Sequence, residues 1–256
     1  MPAMPSFSPR VLLLGGTTEA SLMARRLAAA GVDAIFSYAG RTETPLEQPL
    51  PTRIGGFGGV PGLVAYLREN AITHVIDATH PFAAQMSRNA VAACAETGVK
   101  MLALERPAWM PGPDDDWRHV ESLEDAAAAL PAEPTRVFLA IGRQGLHVFA
   151  PYAAHFYLLR LVDAPAAPLP LPNTEIILAR GPFTLENDLA LLREHHVSLI
   201  IAKNAGGAGA RAKLDAARTL KLSVLMIDRP PQPLRDIATM PEQVMQWLTH
   251  DADLGV

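Results

Sequence analysis

The sequence predicts an α/β protein made of two Rossmann-like domains with mostly parallel sheets. Three observations predict it. Short, near-continuous apolar runs alternate with helix-like stretches, as in parallel strands covered on both faces. The alternation runs through the first half of the chain and then begins again. The two halves also resemble each other: "LRENAITHVIDATH" (67–80) aligns without a gap on "LREHHVSLIIAKNA" (192–205), and "VKMLALERP" (99–107) matches "LSVLMIDRP" (222–230).

The elements follow in order. "RVLLLGG" (10–16) reads as a strand and "TEASLMARRLAAAG" (18–31) as a helix closed by Gly31. "AIFSYAG" (34–40) and "TRIGGFGG" (52–59) read as a second strand and a short third one. "VPGLVAYLRENA" (60–71) is helical, with Pro61 suited to its first turn. "THVIDATH" (73–80) is a strand, "AAQMSRNAVAACAETG" (83–98) a helix and "VKMLALERP" a strand. In the second half, "RVFLAIGRQG" (136–145), "AHFYLLRLV" (154–162), "TEIILARGPF" (174–183), "VSLIIAKNAGG" (197–207) and "LSVLMIDRP" read as strands. Pro-rich loops followed by helices, "SLEDAAAAL" (122–130) and "MPEQVMQWL" (240–248), close each half. The expected domains are residues 1–131 and 132–256, joined near "PAEPT" (131–135).

Composition narrows the function classes. The 256 residues carry a net charge of −4, with no basic run interleaved with aromatics, so neither nucleic acid nor a membrane surface is the expected partner. The one cysteine, Cys94, rules out an internal disulfide and a thiolate metal cluster; it reads as a buried small residue in a helix. "MPAMPSFSPR" lacks the apolar core of a secretory signal, and no apolar run approaches membrane-spanning length, so a cytoplasmic location is expected. Residues 1–135 hold 10 basic and 15 acidic side chains, residues 136–256 hold 12 and 11, which makes the second half the expected docking surface for an acidic ligand.

Ligands of open parallel sheets bind at the carboxyl ends of the strands, and the chemistry-bearing residues cluster there. In "LGGTTEA" (14–20), Gly15 fits a dinucleotide-binding turn, Ala20 takes the place of its last glycine and Thr17 that of the middle one. The Thr17 hydroxyl suits a phosphate or the helix cap, while Glu19 suits the helix dipole. In "SYAGRT" (37–42), Ser37, Arg41 and Thr42 stand where an NAD site has an acid, a set that favours the 2′-phosphate of NADPH. "IGGFGG" (54–59) admits a close ligand or a left-handed turn. Asp77, Thr79 and His80 end a buried strand; a cap by Asp77 or Thr79 with Pro81 in the next helix explains all but the imidazole. In the second half, Gly142-Arg143, Arg180-Gly181 and Lys203-Asn204 put a cation at each of three strand ends, which suits a carboxylate-rich ligand. The run "DDD" (114–116) reads as a polar turn, and the adjacent His195 and His196 cannot form a helical metal pair. No metal site is expected.

Taken together, "LGGTTEA", "SYAGRT", "DATHPFA", "ARGPF" and "IIAKNAGGAGARAKLDAA…VLMIDRP" resemble the precorrin-6A reductase family over residues 10 to 232, with departures at Thr18 and Ala205. The resemblance implies two Rossmann-like domains with a cleft between them, NADPH held by the first and a tetrapyrrole in the cleft. It implies reduction of precorrin-6A to precorrin-6B at the C18–C19 double bond, without a metal. By matching positions, Gly15, Gly16, Thr17, Glu19 and Ala20 line the cofactor, Ser37, Arg41 and Thr42 meet its 2′-phosphate, and Thr79 borders the nicotinamide. Asp77, Arg143, Arg180, Gly181, Lys203 and Asn204 hold the substrate, and His80 or Lys203 supplies the proton. A cobalt-precorrin-6A reductase and a non-catalytic two-domain ligand-binding protein are the alternatives. A nucleotide-sugar epimerase is disfavoured, since no tyrosine has a lysine four residues on.

Overall fold

The protein, seen in a computed structural model that describes residues 9–40 and 45–254, forms two six-stranded sheets in which every strand pair is parallel. It divides into two compact units, Met1–Pro107 with Pro231–Val256, and Ala108–Pro230.

In the first unit, strands β1 (Arg10–Leu14), β2 (Asp33–Tyr38), β3 (Thr52–Ile54), β4 (His74–Asp77), β5 (Lys100–Leu104) and β12 (Ile237–Ala238) lie in the order β3-β2-β1-β4-β5-β12. Side chains alternate across a strand, so β1 serves two cores. Val11 and Leu13 pack with Met23 and Leu27 of α1 (Thr18–Ala29) and Val244 and Leu248 of α7 (Pro241–Leu254). Leu12 and Leu14 pack with Leu63 and Leu67 of α2 (Gly59–Glu69) and Ala90 and Ala93 of α3 (Ala84–Thr97). A strand buried on both faces has to be apolar throughout, which is why "VLLL" has no alternation to read.

The second unit repeats the plan. Strands β6 (Trp117–Val120), β7 (Arg136–Ala140), β8 (Phe156–Leu161), β9 (Thr174–Leu178), β10 (Leu199–Lys203) and β11 (Ser223–Ile227) lie in the order β9-β8-β7-β10-β11-β6. Helices α5 (Leu185–Glu194) and α6 (Ala212–Leu220) bury Leu192, Leu214 and Ala217 against Phe138, Ile200 and Val224. Helix α4 (Leu123–Ala128) and a four-residue 3₁₀ helix, Leu146–Phe149, complete the unit.

The expected boundary at 131/132 is corrected. Residues 117–120, now strand β6, and helix α4 fall in the range expected for the first domain but belong to the second unit, because β6 pairs with β11. Residues 237–238, now strand β12, and helix α7 fall in the range expected for the second but belong to the first, because β12 pairs with β5. The chain crosses between units just after Arg106 and Arg229, at the prolines Pro107 and Pro230, while "PAEPT" lies within the second unit. Strands β6 and β12 have no strand signal in the sequence: "WRHV" is half polar and only four residues long, and a two-residue strand leaves no period to detect. With the true boundaries, the expected charge contrast vanishes. The first unit holds 10 basic and 12 acidic residues and the second 12 and 14, a balance of −2 in each.

Candidate functional site

In each sheet the strand order reverses between its two central strands, β1 and β4 in one, β7 and β10 in the other. A parallel sheet opens its ligand crevice at such a switch point. The segments that leave these strands are Gly15–Thr17 and Ala78–His80 in the first unit, and Ile141–Arg143 and Asn204–Ala205 in the second.

The turn after β1 is built for close approach. Gly15 donates its N–H to Ser37 O at 2.9 Å, and a Cβ there would lie 2.1 Å from the Phe36 ring. Gly16 adopts φ +120°, a region that favours glycine, and open space surrounds the position its Cβ would take. Thr17 then caps α1: its Oγ1 accepts from Ala20 N at 3.1 Å and donates to Ala78 O at 2.8 Å. Of the two roles expected for this hydroxyl, phosphate contact or helix cap, it takes the cap, and it also ties the two segments flanking the switch point. Glu19 forms an ion pair with Arg106. Thr17, Glu19, Thr79, Pro81, Glu105 and Arg106 line one small crevice. These features fit a dinucleotide: free helix N–H groups, the positive end of α1, and a glycine surface with no side chain above it.

At the next strands, Ser37 is buried and its Oγ accepts from Arg53 Nη1 at 2.8 Å. Arg53 stands beside Ser37 in the β2–β3 register, donates also to Gly55 O and Gly56 O, and stacks 3.8 Å from the centre of the Phe57 ring. Burial pushes its pKa below the ordinary arginine value, an effect opposed by Tyr66; the group remains a cation at neutral pH. Arg53 is absent from the expected site because a phosphate-binding cation is expected at the end of β2 and Arg53 stands on β3. The signal was there, since "TRIGG" continues the sheet from "SYAGRT". Arg41 and Thr42 lie outside the described residues.

The end of β4 differs from its expected form. Asp77 is 3% exposed and is an internal anchor where a substrate contact was expected. Oδ1 accepts from Thr79 N at 3.1 Å and Thr79 Oγ1 at 2.7 Å, and Oδ2 accepts from Ser87 Oγ at 2.6 Å. Neither Asp77 nor Thr79 caps α3, whose N-cap is Ala83 without a side-chain hydrogen bond. Pro81 sits in a separate turn closed by Ala83 N donating to His80 O at 2.7 Å. Within that turn Phe82 N donates to His80 Nδ1 at 3.2 Å. An Nδ1 lone pair engaged this way leaves the neutral ring's proton on Nε2. Cys94 is buried, and burial with the nearby Asp77 charge raises its pKa to about 12, so the thiol is inert.

In the second unit, Asn204 is likewise turned inward. It is 4% exposed, accepts from Trp109 N at 2.8 Å and donates to Trp109 O at 3.0 Å, fastening the start of the unit. Arg143 is exposed beside Gly142, which has φ +76°, and lines a groove with Leu146, His147 and the Pro165–Pro170 loop. Arg180 lies 4.0 Å from Asp163 and adjoins Gly181; Lys203 ends β10. The "DDD" run holds more than a turn: Asp115 binds Arg218 through two hydrogen bonds, of 3.0 and 2.7 Å. Among the described residues, no three His, Cys, Asp or Glu side chains group to hold a metal, and no helix is long and apolar enough to cross a membrane.

A glycine turn and helix N-terminus at the switch point of a doubly wound parallel sheet, with a second sheet of the same order, define a Rossmann-like α/β protein. Residues 10–249 match the model of the family described as "Precorrin-6x reductase CbiJ/CobK". The chain belongs to this precorrin-6x reductase family. It is 61% identical to a precorrin-6A reductase of Rhodobacter capsulatus over 93% of this chain and 95% of that one. A cobalt-precorrin-6A reductase of Priestia megaterium is 29% identical over 94% and 98%. A solved structure titled CobK precorrin-6A reductase superposes with a TM-score of 0.92 at 60% identity, covering 94% of this chain and 96% of that one.

Proposed function

We propose that the chain reduces precorrin-6A to precorrin-6B in cobalamin biosynthesis, with NADPH bound by the first unit and the substrate's carboxylates met by the second. One observation carries the assignment of the cofactor. In the first unit the glycine turn at the switch point opens the 12-residue helix α1; after Gly142 in the second stands a four-residue 3₁₀ helix. Of the two glycine turns that follow β1 and β7, the first alone therefore offers a full helix N-terminus to a pyrophosphate. Identity favours the metal-free substrate over the cobalt-bearing one, at 61% against 29%.

The bound nicotinamide supplies the hydride. Gly16 leaves room for the phosphates, and Arg53 beside Ser37 provides a charge that selects a 2′-phosphate; by their place in the sequence the Arg41 guanidinium and the Thr42 hydroxyl serve the same phosphate. Thr79, held by Asp77, borders the nicotinamide, and the carbon next to the one reduced takes its proton from His80 in its imidazolium form, which leaves a neutral ring, or from Lys203, which leaves a neutral amine. Arg143, Arg180 and Lys203 bind acetate and propionate arms, which a macrocycle carries in number. Purified protein given precorrin-6A and NADPH should consume the cofactor and yield a product heavier by two hydrogens. A chain that leaves both unchanged contradicts the assignment.

A further inference from the structure

The segment that returns to the first unit between β11 and β12 carries two side chains joined to the turn that holds Thr79 and His80. Arg235 is one; its side chain is 6% exposed. Its Nη2 donates to Glu105 Oε2 at 2.7 Å, its Nη1 lies 3.6 Å from Asp77 Oδ2 and donates to Gln232 Oε1 at 3.1 Å. Gln232 is the other; its Nε2 donates to Pro81 O at 2.7 Å. Two lines of polar contact therefore run from Arg235 into the turn. One passes through Asp77 to the N–H and hydroxyl of Thr79, the other through Gln232 to the carbonyl of Pro81. His80 lies between the two fastened residues.

We propose that Arg235 is a positioning residue for the reduction, acting through Asp77 and Gln232 to set the Thr79–His80 turn. This rests on the function proposed above. The physics is charge and order. Asp77 and Glu105 are two carboxylates near one cation, and without it one of them must shed its charge or move apart from the other. Movement of Asp77 carries Thr79 with it. Arg235 also buries its Nε without an acceptor among the described residues, a defect that a residue kept for stability alone has no reason to carry. A misplacement of about 1 Å in a reacting group lowers turnover by up to ~100-fold, so a residue remote from substrate can govern rate.

The test compares Arg235→Gln, Asp77→Asn and the double variant in steady-state reduction of precorrin-6A, with NADPH affinity and thermal melting measured alongside. Arg235→Gln should lower kcat by about 10- to 100-fold and leave the NADPH dissociation constant within about twofold, since phosphate contacts dominate that affinity. The double variant should be no slower than the slower single one, because both changes break the same line. Wild-type kcat in Arg235→Gln overturns the inference. So does a double variant whose losses multiply. If Arg235→Gln does not fold, Gln232→Ala decides: it should lower kcat several-fold with the melting temperature retained, and unchanged turnover overturns the inference. An inactive wild type instead refutes the proposed function, and this inference with it; an active wild type matched by the variants refutes the inference alone.

Discussion

Arg53 reaches Ser37 Oγ at 2.8 Å and stacks 3.8 Å from the Phe57 ring centre, so its charge is fixed in direction before any ligand arrives. A pre-organised guanidinium loses little entropy on meeting a phosphate. Arg53→Ala should therefore weaken NADPH binding by about tenfold or more, the worth of one charge-assisted hydrogen bond, and NADH binding much less; fluorescence titration reads both. Equal losses would remove Arg53 from the 2′-phosphate. At this scale the sequence was a partial guide. "GGT" and "DATH" marked the places where the sheet opens, because glycine, small hydroxyls, an acid and an imidazole at these strand ends depart from the apolar rule. Which way each side chain turns was hidden. Asp77 and Asn204 both read as ligand contacts, yet each is buried and spends its polar atoms on local backbone or side chains. Strand position says where a residue stands; partners 2 or 95 positions away decide where it points.

Elements here are fastened by pairs that sequence spacing does not reveal. Asp115, read as part of a solvated turn, ties the loop before β6 to α6 by a bidentate bond to Arg218, 103 positions on. Burial works to raise the Asp115 pKa, but the hydrogen bonds from Arg218 and Gly112 outweigh it and hold the carboxyl below its ordinary value of 3.8. A depressed folded pKa stabilises above the unfolded value and is lost as pH falls through the folded one. The stability lost in Asp115→Asn should thus be full at neutral pH and shrink only below pH 3.8; denaturant melts across that range check it. A gap that widens with acid would contradict the pairing. Long amphipathic helices and apolar strands were legible because periodicity is a local signal. The start of α3 was legible to within a residue, but its cap was not. "HPFAA" looked like a capped helix, but the turn closed at Ala83 delays the helix to Ala84.

For the whole molecule, the repeat was visible and its boundaries were not. The matching of "THVIDATH" to "SLIIAKNA" foretold that β4 and β10 occupy the same place in two sheets of the same order. That β6 and β12 are each added to the sheet of the other half is a long-range choice, made by pairing with β11 and β5. The consequence is positional: the return of the chain brings Gln232 and Arg235 to the end of β4. The duplicate plan also lets the units diverge, one keeping the helix after its glycine turn and the other replacing it with a 3₁₀ turn and cations. The account as a whole claims direct hydride transfer from a nucleotide held at Gly15–Thr17. The most direct test is reduction of precorrin-6A with NADPH deuterated at the transferring C4 position, followed by mass analysis of precorrin-6B. The account predicts one deuterium retained in each product molecule, and a Gly16→Val variant that forms none because its side chain fills the phosphate path. A product without deuterium, or undiminished transfer by Gly16→Val, would contradict it.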